Sequence, residues 1–229
     1  MIYERVALRR LFRTVNGGTP TSDPSNWKGG VAWATPVDVG QSGQYLEATA
    51  RTITEAGLRE GARLVPMGSI ILSTRAPIGH LSIAAIPVAF NQGCRGLVPI
   101  VDLDVRYFAY QLGALRPDLQ AAGAGSTFAE LSSDALASMR VFCPAVDQQR
   151  RIANFLDMET AKIDRLVAFR NAQIRLVVER TLARVFESVG GQQEASDRRD
   201  SGLRWLGQIH LDGPLWPLAT STKYCSGRC

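Results

Sequence analysis

Residues 147–189 read DQQRRIANFLDMETAKIDRLVAFRNAQIRLVVERTLARVFESV, with neither glycine nor proline. Apolar residues recur at steps of three and four: Ile163, Val167, Ile174, Val177 and Val185, with Leu166, Val178, Leu182 and Phe186 beside them. That spacing places them on one face of a helix. Pro144 precedes the stretch, Asp147 can cap its first turn, and Gly190-Gly191 ends it. At ~1.5 Å per residue such a helix is roughly 60 Å long, far beyond the ordinary helix of about 11 residues. A compact domain covers only part of so long a stripe. The remainder calls for another helix, from a second copy or another subunit. The plainer alternative is a long helix lying across its own domain. Arg170 and Gln173 interrupt the stripe, as polar residues do where register between helices is set at some cost in stability.

Upstream of the helix, short apolar runs alternate with Gly/Pro turns. Residues 3–15 suit a strand or a short helix, and the loop 21–30 carries Trp27 and Lys28. Strands are predicted at 31–35, 70–74, 80–85, 87–90, 94–100 and 139–143. Helices are predicted at 52–61, with Thr52 or Thr54 as cap, at 104–122 with a kink at Pro117, and near 132–138. Trp33 and Phe90 read as core. Downstream, 191–204 reads as a polar linker, and the last stretch is too short to bury a core of its own. The fold class is α+β: one globular domain of short strands and helices, followed by a long spacer or coiled-coil helix.

The 229 residues are 45% hydrophobic, enough for a sizeable core plus an extension. No run approaches the ~18 apolar residues of a membrane span, and the charged start MIYERVALRRLF does not read as a signal peptide. A soluble, cytoplasmic protein is expected. Cys94, Cys143, Cys225 and Cys229 show no CxxC spacing, and His80 and His210 stand alone, so neither a zinc site nor a Cys–His nucleophile is expected. Cys94 and Cys143, in strand-like runs, are expected as buried free thiols. The net charge is +5, spread so that no segment is a polybasic tail. Its basic residues are nearly all arginine, which suits bidentate contacts to phosphate or guanine, although genome composition yields the same bias. Neither GxGxxG nor GxxxxGK[ST] is present, so no phosphate- or S-adenosylmethionine-binding motif is found.

Six motifs in order carry a resemblance: NGGTP (16–20), WKGGVAWATPVD (27–38), GSIILSTRAPIG (68–79), FNQGC (90–94), GSTF (125–128) and QQRRIANFLD with KID (148–157, 162–164). Together they resemble the specificity (S) subunit of type I restriction–modification systems. The resemblance implies that residues 1–146 form a target recognition domain reading half of a bipartite site in double-stranded DNA. It implies that 147–189 is a helical spacer that docks modification (methyltransferase) subunits, with a homodimer through the helix as an alternative. In the family the S subunit is not the catalyst. S-adenosylmethionine, ATP and magnesium would act only on the modification and restriction subunits. A full family member has two recognition domains and two helical regions. Residues 190–229 look like a linker and the start of a second domain, so a truncated S subunit is expected. Gln148-Gln149 stands where the family has Glu-Gln.

The loops would supply the DNA contacts. Arg75 sits after a strand end and before a Pro-Ile-Gly turn, either displayed to DNA or bonded to loop carbonyls. Asn91 and Gln92 carry amides that can pair with adenine, or that hold a turn. Lys28 contacts a phosphate or is a solvated charge. Thr19, Ser126 and Thr127 donate to phosphates or cap their loops. The helix-pairing residues expected are Ile163, Leu166, Val167, Ile174, Val177, Val178 and Val185. Three other functions stay open: a helical adaptor that binds the modification subunit without reading DNA, a nuclease in its own right, and a non-functional remnant.

Overall fold

In a computed structural model, which describes residues 4–124, 130–190, 198–200 and 208–210, the strand Ile70–Ser73 is buried at every position. A strand covered on both faces reads as a continuous apolar run, and IILS is one. The order of elements shows what covers it. Strands β1 (Arg5–Ala7), β2 (Phe12–Asn16) and β3 (Trp27–Ala34) come first, then α1 (Pro36–Gln41), β4 (Tyr45–Leu46), β5 (Arg51–Ile53), α2 (Glu55–Gly61) and β6 (Leu64–Val65). Next are β7 (Ile70–Ser73), β8 (Leu81–Ala84), β9 (Val88–Phe90) and β10 (Cys94–Pro99). Helices α3 (Val105–Ala114), α4 (Arg116–Gly123) and α5 (Ser133–Ser138), strand β11 (Arg140–Phe142) and helix α6 (Val146–Gly190) follow.

A five-stranded sheet runs β2-β10-β7-β8-β4 and a four-stranded sheet β5-β3-β9-β6, while β1 pairs with β11. Alternation along the strands divides the core. Phe12, Ile70, Leu72 and Leu97 join Phe108, Leu112, Leu119 and Leu136 of the helices. Val15, Ile71, Cys94 and Val98 point the other way and meet Ala34, Val88 and Phe90 of the second sheet. Trp33, Ile53 and Ala89 form a third cluster, with Leu58 of α2 packed on it. Helices, sheet, sheet and helix thus stack in layers, so Trp33 and Phe90 are core as expected. The first compact unit, Met1–Glu159, takes in the first turns of α6.

Local differences from the sequence reading have identifiable causes. Strand β3 starts at Trp27, inside the predicted loop, because a bulge at positive-φ Lys28 lets the chain rejoin β5 at Val31. Residues 36–41 form an unforeseen helix whose Thr35–Asp38 capping box satisfies its first turn. Helix α2 begins after Thr54, whose hydroxyl accepts from the Gly57 amide at 3.2 Å. The predicted helix 104–122 is two helices broken at Leu115, since Pro117 can occupy only the first turn of the second. Helix α6 is continuous from Val146, and Asp147 lies inside its first turn rather than before it. Within the predicted linker, Arg198–Asp200 pairs antiparallel with Gln208–His210.

The early turns of α6 are tied to the first unit. Ala153 is fully buried in the core. Gln149 accepts from the Asp104 amide at 2.9 Å and donates to the Pro144 carbonyl at 2.8 Å. Asp157 accepts from Tyr110 Oη and Arg106 Nη1, each at 2.7 Å, and from Gln44 Nε2 at 2.9 Å. Burial would raise its pKa, but these hydrogen bonds and the Arg106 charge outweigh burial and hold it below the usual value. Beyond Glu159 the stripe is uncovered: Ile163, Leu166, Val167, Ile174, Val177, Val178 and Val185 are all exposed. No helix among the described residues is long and apolar enough to cross a membrane.

Candidate nucleic-acid interface

The NGGTP loop is placed by backbone-on-backbone contact. A Cβ at Gly17 would lie 1.9 Å from the Asn91 carbonyl oxygen, and one at Gly18 only 1.7 Å from that of Gly61. Only glycine permits such approaches. They set the loop between the turn at 91–93 and the end of α2. The indole Nε1 of Trp33 donates to the Gly18 carbonyl at 3.0 Å and that of Trp27 to the Thr21 carbonyl at 2.9 Å. Arg51 stacks over Trp27 at 3.8 Å.

Four of the predicted residues meet around the 91–93 turn. The Thr19 hydroxyl donates to Gln92 Oε1. Asn91 Oδ1 accepts from the Gly93 amide at 3.0 Å, so its carboxamide oxygen serves the turn. The Gly93 carbonyl accepts from the Thr74 and Arg75 amides at 2.8 and 3.4 Å. Arg75 Nε pairs with Glu130 Oε2 at 3.1 Å, its side chain half exposed. Thr19 and Gln92 are exposed as well. Lys28 lies apart, exposed on the β3 bulge, and Ser126 and Thr127 lie outside the described residues.

Two residues absent from the sequence reading organise this cluster. Arg95 donates to the Gln92 and Cys94 carbonyls at 2.8 and 3.0 Å and to Ser133 Oγ at 3.0 Å. It also reaches Glu130 at 3.5 Å, and Ser133 in turn donates to Asn16 Oδ1 at 2.9 Å. Glu130 thus stands between two arginines, and the trio keeps one net positive charge. Nothing local could have revealed it, because Glu130 lies 55 residues from Arg75 and 35 from Arg95.

Among the described residues the two cysteines are shifted away from the thiolate form. Burial pushes the Cys94 thiol up to about 12. Cys143, only half-buried where a buried thiol was expected, is also raised, by burial and then by Glu4. His80 is lowered by burial and by Arg116, whose Nη2 lies 2.8 Å from its Nε2. Among the described residues no group of three or more His, Cys, Asp and Glu is placed to hold a metal. What remains is a polar, arginine-bearing surface of loops that can hydrogen-bond and neutralise charge.

Fold and surface together define a class, a layered α+β binding domain that continues into a long helix. The chain belongs to the family of type I restriction modification DNA specificity domains, whose model matches residues 3–176. The type I restriction enzyme MjaIX specificity subunit of Methanocaldococcus jannaschii is 32% identical over 154 residues, 65% of this chain and 36% of that protein. An Escherichia coli type I restriction enzyme specificity subunit is 27% identical over 159 residues, 66% of this chain and 39% of its own length. This chain therefore spans well under half of these relatives. The HsdS subunit from Thermoanaerobacter tengcongensis shares the fold, with a TM-score of 0.58 at 21% identity over 71% of this chain and 38% of that one. So does a chain from a structure of type I R-M complex assembly, with a TM-score of 0.60 at 21% identity over 80% of this chain and 43% of that one.

Proposed function

We propose that this chain reads sequence in double-stranded DNA as the specificity subunit of a type I restriction–modification complex, directing modification (methyltransferase) and restriction subunits to the site. The observation that carries this reading is the match of the family model to residues 3–176. The exposed residues Thr19, Gln92 and Arg75, with the largely buried Arg95 of β10 behind them, form a net-positive cluster that supports it, since phosphate contacts position a protein and base-edge contacts specify. Residues 1–146 are then the target recognition domain, 147–189 the spacer, and 190–229 the linker and entry to a second domain. Lys28, Asn91, Ser126 and Thr127 join the DNA contacts. The chain itself is non-catalytic and cytoplasmic, and S-adenosylmethionine, ATP and magnesium act on the partner subunits.

A second reading, a helical adaptor that binds the modification subunit without reading DNA, is favoured by the uncovered stripe on α6. A homodimer would also cover it. The deciding experiment is selection from randomised duplexes by the 229-residue chain mixed with its methyltransferase subunit. Enrichment of one sequence supports DNA reading, and a palindromic one supports the dimer. A stable complex without enrichment leaves the adaptor, and neither result leaves both readings without support.

A further inference from the structure

Between the two sheets' edges lies a groove of about 550 Å³, lined by Arg13, Asn16 and Gly17 on one side and by Gly61, Arg63 and Leu64 on the other. Strand β2 is an edge strand of the five-stranded sheet and β6 an edge strand of the four-stranded one, so backbone polar groups of both strands lack a strand partner on one side. Arg13 and Arg63 are exposed, and neither guanidinium has a hydrogen bond or ion pair among the described residues. The neighbouring acid, Glu60, is engaged by Asn26 Nδ2. Unlike Arg75 and Arg95, these two cations carry no acid between them. At one end the groove is bounded by the packing of Gly18 backbone on Gly61, and Thr19, next in the chain, pairs with Gln92.

We infer that this groove seats the phosphate backbone of a DNA duplex, with Arg13 and Arg63 as sequence-independent anchors that hold the strand whose bases face the Thr19–Gln92 loops. The inference rests on the DNA-reading function proposed above and assigns it a second, purely electrostatic contact. Free guanidinium groups beside unpaired strand-edge amides suit an extended polyanion. Phosphate neutralisation would release counterions and make binding salt-dependent.

The test is fluorescence anisotropy of the full 229-residue chain, mixed with its methyltransferase subunit as in the selection, on its selected duplex and a scrambled one. Wild type is compared with R13Q/R63Q and R13K/R63K, all checked by circular dichroism melting. Each lost phosphate contact flattens the slope of log affinity against log salt by about 0.9. For two contacts, the loss of affinity between about 50 and 200 mM salt should shrink by roughly 12-fold. That flattening should be equal on both duplexes, and the lysine variant should restore the slope. An unchanged slope in R13Q/R63Q overturns the inference while leaving DNA reading intact. A loss confined to the selected duplex and not rescued by lysine makes the pair base readers and also overturns it. If R13Q/R63Q keeps DNA binding but loses the methyltransferase subunit, the groove is a protein dock. A wild-type chain that binds no duplex removes both the function and the inference.

Discussion

Glu130 accepts from two arginines, Arg75 of a loop and Arg95 of β10, and its side chain is about one-third exposed. Surface pairs of this kind contribute little to stability because solvent screens them. Glu130→Gln should therefore cost under about 1 kcal/mol in urea unfolding. It raises the cluster's net charge by one, so affinity for duplexes of any sequence should rise, as anisotropy would show. A fall in affinity would mean that the pairing poses Arg75 and Arg95 for contact. The glycines of NGGTP predict a sharper contrast. Gly18→Ala drives a methyl into the Gly61 carbonyl, backbone against backbone, and should cost at least about 1–3 kcal/mol. Gly30, around which a Cβ meets nothing within 4 Å, should tolerate alanine to within about 0.5 kcal/mol. Equal melting losses at the two positions would contradict this account of the loop. At this scale the sequence was only partly legible. It offered Thr19, Arg75, Asn91 and Gln92 as candidates and even the two uses of the Asn91 amide, but Arg95 and Glu130 carry no local signal.

Helix α6 joins two environments in one element. Its early turns insert Ala153 into the core and place Asp157 among Tyr110, Gln44 and Arg106, whereas the apolar stripe that follows is exposed. Asp157→Asn should destabilise the first unit by about 1–2 kcal/mol, since three hydrogen bonds, one of them to charged Arg106, converge on the carboxylate but solvent reaches it. A carboxylate whose folded pKa lies below its unfolded one contributes stability above the unfolded value and loses it as pH falls through the folded one. The wild type should therefore lose melting temperature on acidification below about pH 4 more steeply than the variant. Parallel pH profiles would show that Asp157 is not a linked group. Further along, Leu166→Asp with Val177→Asp should leave the melt of the first unit within about 0.5 kcal/mol, yet abolish binding of the methyltransferase subunit or of a second copy, read by native mass spectrometry. Periodicity alone identified this helix, because a 3.6-residue repeat free of glycine and proline has no other regular solution. The same reading could not say which turns would be covered, since the covering residues come from 44 to 110.

For the whole molecule, the order of six short motifs was sufficient to point to the family whose model matches residues 3–176. The α+β class followed from the mixture of short strands and helices. Layering did not, because the run 70–73 reads the same whether helices or a second sheet lie above it. Local chemistry determined what depends on neighbours in sequence: the long helix, a threonine cap at 52 or 54, the turns at glycine and proline, and the glycine loop beside the candidate surface. Tertiary structure alone decided what depends on residues far apart: the sharing of Glu130 between Arg75 and Arg95, the docking of Asp157, and the groove that brings Arg13 to Arg63. Hydrogen bonds and ion pairs act over a few ångströms of space whatever the chain separation, and only the packing of strands, sheets and helices brings such partners within that range.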